Sequence, residues 1–170
     1  MLAKKNIKIL ILICIVPILT ACGIYSFTGT SIAPDVKTIS VHTIENKAPK
    51  VYPSLSNTFT VELQDKYRKL TNLEMLDEGG DLEVSGIVMS YDVTPTAVTS
   101  EEVAAQNRLT ITAKITYANN LYPDEDFEKS FAAFQDYSSE LSLEQVEAQL
   151  VDDIVEILVE DIFNATVAQW

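Results

Sequence analysis

Side chains able to do chemistry are few in this 170-residue sequence: one histidine, His42, and two cysteines, Cys14 and Cys22. A serine, cysteine or metal hydrolase needs a base beside its nucleophile, usually a histidine oriented by a third group. His42 stands in a β-branched run, KTISVHTI (37–44), which makes it an exposed strand side chain. There is no nucleophile elbow, P-loop, dinucleotide fingerprint or HExxH helix. Carboxylates pair at Asp152-Asp153 and gather at Asp124-Glu125-Asp126. The second group has the oxygen chemistry that Ca²⁺ favours but lacks the EF-hand spacing, so it reads as a solvated turn. Acid–base work also needs a pocket that shifts carboxylate pKa values, and no such pocket is marked here. The expectation is a protein that is not an enzyme, with no catalytic residues, cofactor or metal.

The remaining reactive group is the Cys22 thiol. Lys4, Lys5 and Lys8 precede an apolar run, ILILICIVPIL (9–19). That run is shorter than the roughly 20 residues needed to span a bilayer core. A basic start, a short apolar stretch and small residues at the end make a secretory signal. Leu19-Thr20-Ala21-Cys22 resembles the bacterial lipobox, in which the thiol takes a diacylglycerol and the chain is cut before the cysteine. Cleavage is expected between Ala21 and Cys22, with lipidation at Cys22 and removal of residues 1–21. Three acyl chains, palmitate among them, would anchor the protein firmly, because each buried CH₂ adds about 0.8 kcal/mol. Cys14 leaves with the leader. The remaining cysteine is blocked by lipid, so no disulfide, thiol nucleophile or cysteine metal site is left.

Residues 22–170 suit one domain, large enough to bury an independent core. Nine basic residues remain there against all 25 acids, 9 minus 25, a formal charge of −16. That excludes a nucleic-acid partner, whose phosphates must be neutralised by Lys and Arg. It also disfavours a body lying flat on an anionic membrane. No Lys or Arg follows Lys129, and the acidic surface reads as a solvated face.

These residues need a scaffold, and the hydrophobic pattern supplies one. Residues 22–36 read as a tether that becomes ordered near Ile32, and 37–170 as a single domain. Residues 37–44 predict a strand. Pro53-Ser54 opens a helix with Leu55, Phe59, Leu63, Tyr67 and Leu70 on one stripe. Leu73 to Leu76 reads as a short strand and Asp77-Glu78-Gly79-Gly80 as a turn. Residues 81–94 form a strand whose inward parity changes at Gly86. A bulge there would keep Leu82, Val84, Ile87, Met89, Tyr91 and Val93 on one face. Pro95 is expected to end the pairing. RLTITAKITYA (108–118) alternates cleanly, with Leu109, Ile111, Ala113, Ile115 and Tyr117 inward. Phe127–Phe134 is a further strand, and Phe127, Phe131, Phe134 and Tyr137 read as core. Ser142 and Gln145 form a capping box for a last helix, with Val146, Leu150, Ile154, Ile157, Leu158 and Ile162 on its apolar side. The fold class is α+β: two helices packed on one face of a mostly antiparallel sheet of about four strands.

The lipobox, CGIYSFTGTSIAPDVKTISV, PSLSNTFTVELQDKY, NRLTITAKITY, DFEKSFAAFQDYSS and VEDIFNATVAQW, in that order, resemble the LPS-assembly lipoprotein family LptE in its Bacteroidota branch. The resemblance runs over nearly all of residues 22–170. It implies a two-helix, four-strand fold and a lipid-anchored outer-membrane protein on the periplasmic side. It further implies a plug and assembly partner of the β-barrel LptD in lipopolysaccharide transport. Gly23 after the cysteine, in place of an aspartate, fits outer-membrane sorting. Lys66, Arg68, Lys69, Arg108 and Lys114 are the cations that could contact LPS or a partner; they align with no family motif. The alternative is a periplasmic lipoprotein that binds glycan, lipid or another envelope protein without a barrel.

Overall fold

A computed structural model describes residues 32–50, 52–96 and 106–167. Its strands are β1 (Thr38–Val41), β2 (Glu45–Asn46), β3 (Glu74–Leu76), β4 (Leu82–Thr96), β5 (Gln106–Asn119) and β6 (Phe127–Ser138). Its helices are α1 (Leu55–Leu70) and α2 (Leu143–Thr166). Both helices cover the same face of the sheet, as the sequence implies. In α1, Leu55, Phe59, Leu63 and Tyr67 recur every fourth residue and are fully buried. The α2 capping box forms as expected: the Ser142 amide donates to Gln145 Oε1 at 2.9 Å. Its buried stripe runs from Leu150 and Val151 to Phe163 and Thr166. Ile157 departs from the expected stripe and is 40 % exposed.

The sheet corrects the expectation of a mostly antiparallel, four-stranded array. It has six strands in the order β3-β1-β4-β5-β6, with β2 also on β4. The long ladders β4/β5 and β5/β6 are antiparallel, while β1/β3, β1/β4 and β2/β4 are parallel. A 16-residue helix between β1 and β3 is what permits their parallel pairing. The expected first strand is broken at His42–Ile44 because Ile44 turns inward beneath α1. Its amide then goes to the Thr60 hydroxyl (2.9 Å) and its carbonyl accepts from Ser56 Oγ (2.6 Å).

Asp77–Gly80 is a turn, but not a hairpin. It carries the chain over β1, from β3 on one side to β4 on the other. Gly80 lies directly on the β1 backbone; a Cβ there would stand 2.6 Å from the Ser40 nitrogen. The Gly80 amide donates to Ser40 Oγ (2.9 Å), and Asp81 Oδ2 accepts from the Lys37 and Thr38 amides (2.8 and 3.0 Å). These bonds hold the Asp81 carboxyl below the usual carboxylate range.

The bulge in β4 sits at Met89, between Val88 and Ser90, rather than at Gly86. Gly86 keeps the inward register because the Ile115 side chain fills the space beside it; a Cβ would come 2.5 Å from Ile115 Cδ1. Leu82, Val84, Val88 and Tyr91 therefore form the core face. Ile87 falls on the opposite face. Pro95 does not end the ladder, which continues through Pro95↔Asn107 and Thr96↔Gln106. There β5 is the only described neighbour of β4, the edge setting in which a proline is tolerated. Strand β6 runs four residues past Phe134, to Ser138. At the entry to the body, residues 32–36 pack against it: Val36 is buried and Asp35 accepts from the Tyr122 hydroxyl at 2.7 Å.

Candidate functional site

The five candidate cations lie on two faces that do not meet. Lys66, Arg68 and Lys69 stand on the last turns of α1, where positive charge suits the helix dipole. Arg108 and Lys114 stand on β5, at even positions that point away from the helices. Each has a carboxylate partner. Lys66 bonds Glu160 of α2 and lies 5.8 Å from the Phe163 ring centre. Arg68 and Lys69 share Asp65, at 2.9 and 3.9 Å. Arg108 grips Asp136 of β6 with two bonds, Nε at 2.7 Å and a terminal nitrogen at 2.9 Å, and stacks over Phe134 at 3.7 Å. Lys114 meets Glu128 at 2.7 Å. These contacts hold the Asp136 and Glu160 carboxyls below their ordinary range, and Asp136 pushes the Arg108 guanidinium up. No open basic patch is assembled among the described residues.

The other chemistry-bearing groups are likewise committed to structure. His42 lies 3.7 Å from Glu83 on the open face of the sheet. In the β5–β6 turn, Asp126 Oδ1 accepts the Asn119 amide and Glu125 Oε2 accepts from Asn119 Nδ2, both at 2.7 Å. That turn is pinned by hydrogen bonds, and no metal-binding cluster occurs among the described residues. A groove of about 540 Å³ separates the outer edges of the helices, lined by Glu62, Lys66 and Lys69 of α1 and Asp152, Asp153 and Glu156 of α2. Ala21, Cys22 and the leader lie outside the described residues. No helix among the described residues is long and apolar enough to cross a membrane.

The larger feature is the uncovered face of β4, β5 and β6. Sequence reasoning found its β5 row, Arg108, Thr110, Thr112, Lys114 and Thr116, from strict alternation. It missed Ile87, Met89 and Phe134. Met89 (47 % exposed) and Phe134 (49 %) are on the surface rather than in the core. For Phe134 a signal existed: the β6 pairing puts it beside Thr110, on the outward row. Phe131 and Tyr137, at odd positions, are buried as expected.

A family model described as "LptE: Lipopolysaccharide-assembly" matches residues 36–166, nearly the whole of the described body. No curated protein matches the chain. Among solved structures it is similar to a minor lipoprotein from Acinetobacter baumannii, at 14 % identity and TM-score 0.46, covering 77 % of this chain and 90 % of that one. It is also similar to the rare lipoprotein B from Shewanella oneidensis, at 11 % identity and TM-score 0.48, covering 76 % and 90 %. The hypothetical protein CT253 from Chlamydia trachomatis gives 6 % identity and TM-score 0.47, covering 77 % and 98 %. These structural likenesses are too distant to bear on function, and the assignment rests on the family match. On that match, the chain belongs to the LptE lipopolysaccharide-assembly family.

Proposed function

We propose that this LPS-assembly lipoprotein is anchored through Cys22 to the outer membrane, on its periplasmic side, and acts as plug and assembly partner of the β-barrel LptD. The role is non-enzymatic: positioning inside a barrel whose polar lumen suits a charged, water-soluble body. The observation that carries the reading is the family match across residues 36–166, with the lipobox at Leu19–Cys22 beside it. Direct contact between LPS and this chain is not part of the proposal, because each of the five candidate cations already holds a carboxylate.

The test is purification of the C-terminally tagged protein from outer membranes in mild detergent. The expected result is a large β-barrel at about one copy per copy, with misassembled barrel when this protein is depleted. Cys22→Ser should abolish labelling by radioactive palmitate and remove the protein from the outer membrane. Recovery of the protein alone, with intact barrel purifying elsewhere, would refute the plug role. It would leave a free-standing module that binds glycan, lipid or another envelope protein.

A further inference from the structure

The two broad surfaces of the body differ in how readily they can be covered. Helix α2 carries Glu144, Glu147, Asp152, Asp153, Glu156, Glu160 and Asp161 and no Lys or Arg. A partner burying that surface must supply cations, or strand several charges without water. The open face of β4–β6 is built otherwise. Its cations are neutralised in place, Arg108 by Asp136 and Lys114 by Glu128, near opposite ends of the β5/β6 ladder. Between those pairs lie Ile87, Met89, Thr110, Thr112, Ala132 and Phe134, with hydroxyls and methyls, and one charge, Asp92, opposite Thr110. No described element covers them.

We infer that this open sheet face is the surface seated directly against the inner wall of the barrel, while the acidic helix layer faces the water-filled remainder of the lumen. The inference rests on the plug reading above and specifies which side of the plug makes the dry contact. Size is of the right order, although the flat face alone falls short of a full interface and side-chain relief must supply the rest. Three strands about 4.8 Å apart, over 12 paired positions at about 3.4 Å each, present roughly 600 Å² before side-chain relief is counted. A specific interface needs about 800 Å² from each partner. Charge agrees in part: the two ion pairs are already made, and Asp92 is the charge between them that a partner must meet with a donor or cation. Flat rows of threonine and serine leave room for an opposing wall of strands to approach. The bulge at Met89 and the ring of Phe134 give that contact apolar points of purchase.

The test uses the full-length protein in native outer membranes. A photo-crosslinking amino acid is placed at Thr112 or Ala132 on the sheet, and at Gln149 or Glu156 on α2. Barrel adducts are expected mainly from the sheet positions. Thr112→Arg sets an unpaired cation in the interface and should lower barrel co-purification about tenfold. Ala132→Arg, on the outermost strand, should do the same if the first variant folds poorly. Glu156→Lys should leave co-purification within about twofold, since an exposed charge contributes little. Adduct yields from α2 equal to or above those from the sheet would overturn the inference, as would undiminished co-purification of both arginine variants. In either case the barrel still purifies with the wild type, so the plug reading stands. Absence of any barrel from the wild-type preparation overturns both.

Discussion

The two helices are joined by one buried polar contact, and its two partners should not be equally costly to remove. The Tyr67 hydroxyl lies 2.6 Å from Thr166 Oγ1, across 99 residues of sequence, with both side chains buried. Thr166 Oγ1 also lies 2.9 Å from the Ile162 carbonyl and 3.1 Å from that of Phe163, so its one hydrogen goes to its own helix. Tyr67 is therefore the donor. Tyr67→Phe removes that donor and keeps the ring against Phe163, whose centre is 5.4 Å away. Thr166 retains its bond to the helix, so the cost should be about 1 kcal/mol. Thr166→Val keeps the shape but leaves the Tyr67 hydroxyl buried with nothing to accept its hydrogen. That should cost about 2 kcal/mol, nearer the full desolvation of the group. The double variant loses both groups at once and should cost little more than Tyr67→Phe alone, a coupling of about 1–2 kcal/mol. Urea unfolding followed by circular dichroism measures all four proteins, and each kcal/mol should also move Tm by about 2–4 °C. Equal costs for the single variants, or additivity in the double, would refute the assignment of donor and acceptor.

At the crossover, Gly80→Ala sets a Cβ against the β1 backbone, which has no side chain to move aside. It should cost about 1–3 kcal/mol. Gly79→Ala meets open space but a φ of +71°, so its cost should stay near 1 kcal/mol; a thermal melt ranking the two the other way would show that β1 is not clamped as described. Burial first, then the nearby Glu125 and Asp126 carboxylates, push the Tyr117 hydroxyl up to about 12. Burial raises Tyr67 and Tyr91 in the same direction. An unfolded tyrosine ionises near pH 10. Above that pH the unfolded state binds fewer protons than the folded one, so the stability present below pH 10 is lost as pH rises through 12. The urea midpoint should fall between pH 9 and pH 11 (~2 units apart), less steeply in Tyr117→Phe, and a flat profile would contradict the burial of these rings.

How much of this could be read from the chain depends on whether the determining contacts are local. The helices were legible because their signals are local: a four-residue repeat in α1, a capping box and a two-sided stripe in α2. Strand β5 was legible because it is buried on one side only, so alternation is undiluted. The parallel pairings of β1 were not, since they arise from a helix folding back over a strand and a five-residue loop crossing it. The five cations were named correctly as cations, but their state depends on partners such as Asp136, 28 residues from Arg108. The β4 bulge shows most clearly what a pattern leaves open. Both placements of the extra residue restore Tyr91 to the core. An extra residue at Gly86 would bury Ile87 and Met89; one at Met89 turns them to the opposite face, where Ile87 is half-buried and Met89 exposed. Hydrophobic parity favours the first. The second prevails because Ile115 already occupies the volume beside Gly86, and Val88 fills the inward place that Ile87 would have taken. The consequence reaches the surface: a sheet face that parity alone would make polar carries Ile87 and Met89 on β4, with Phe134 farther along on β6. Those three side chains distinguish a face suited to a partner from one suited only to water.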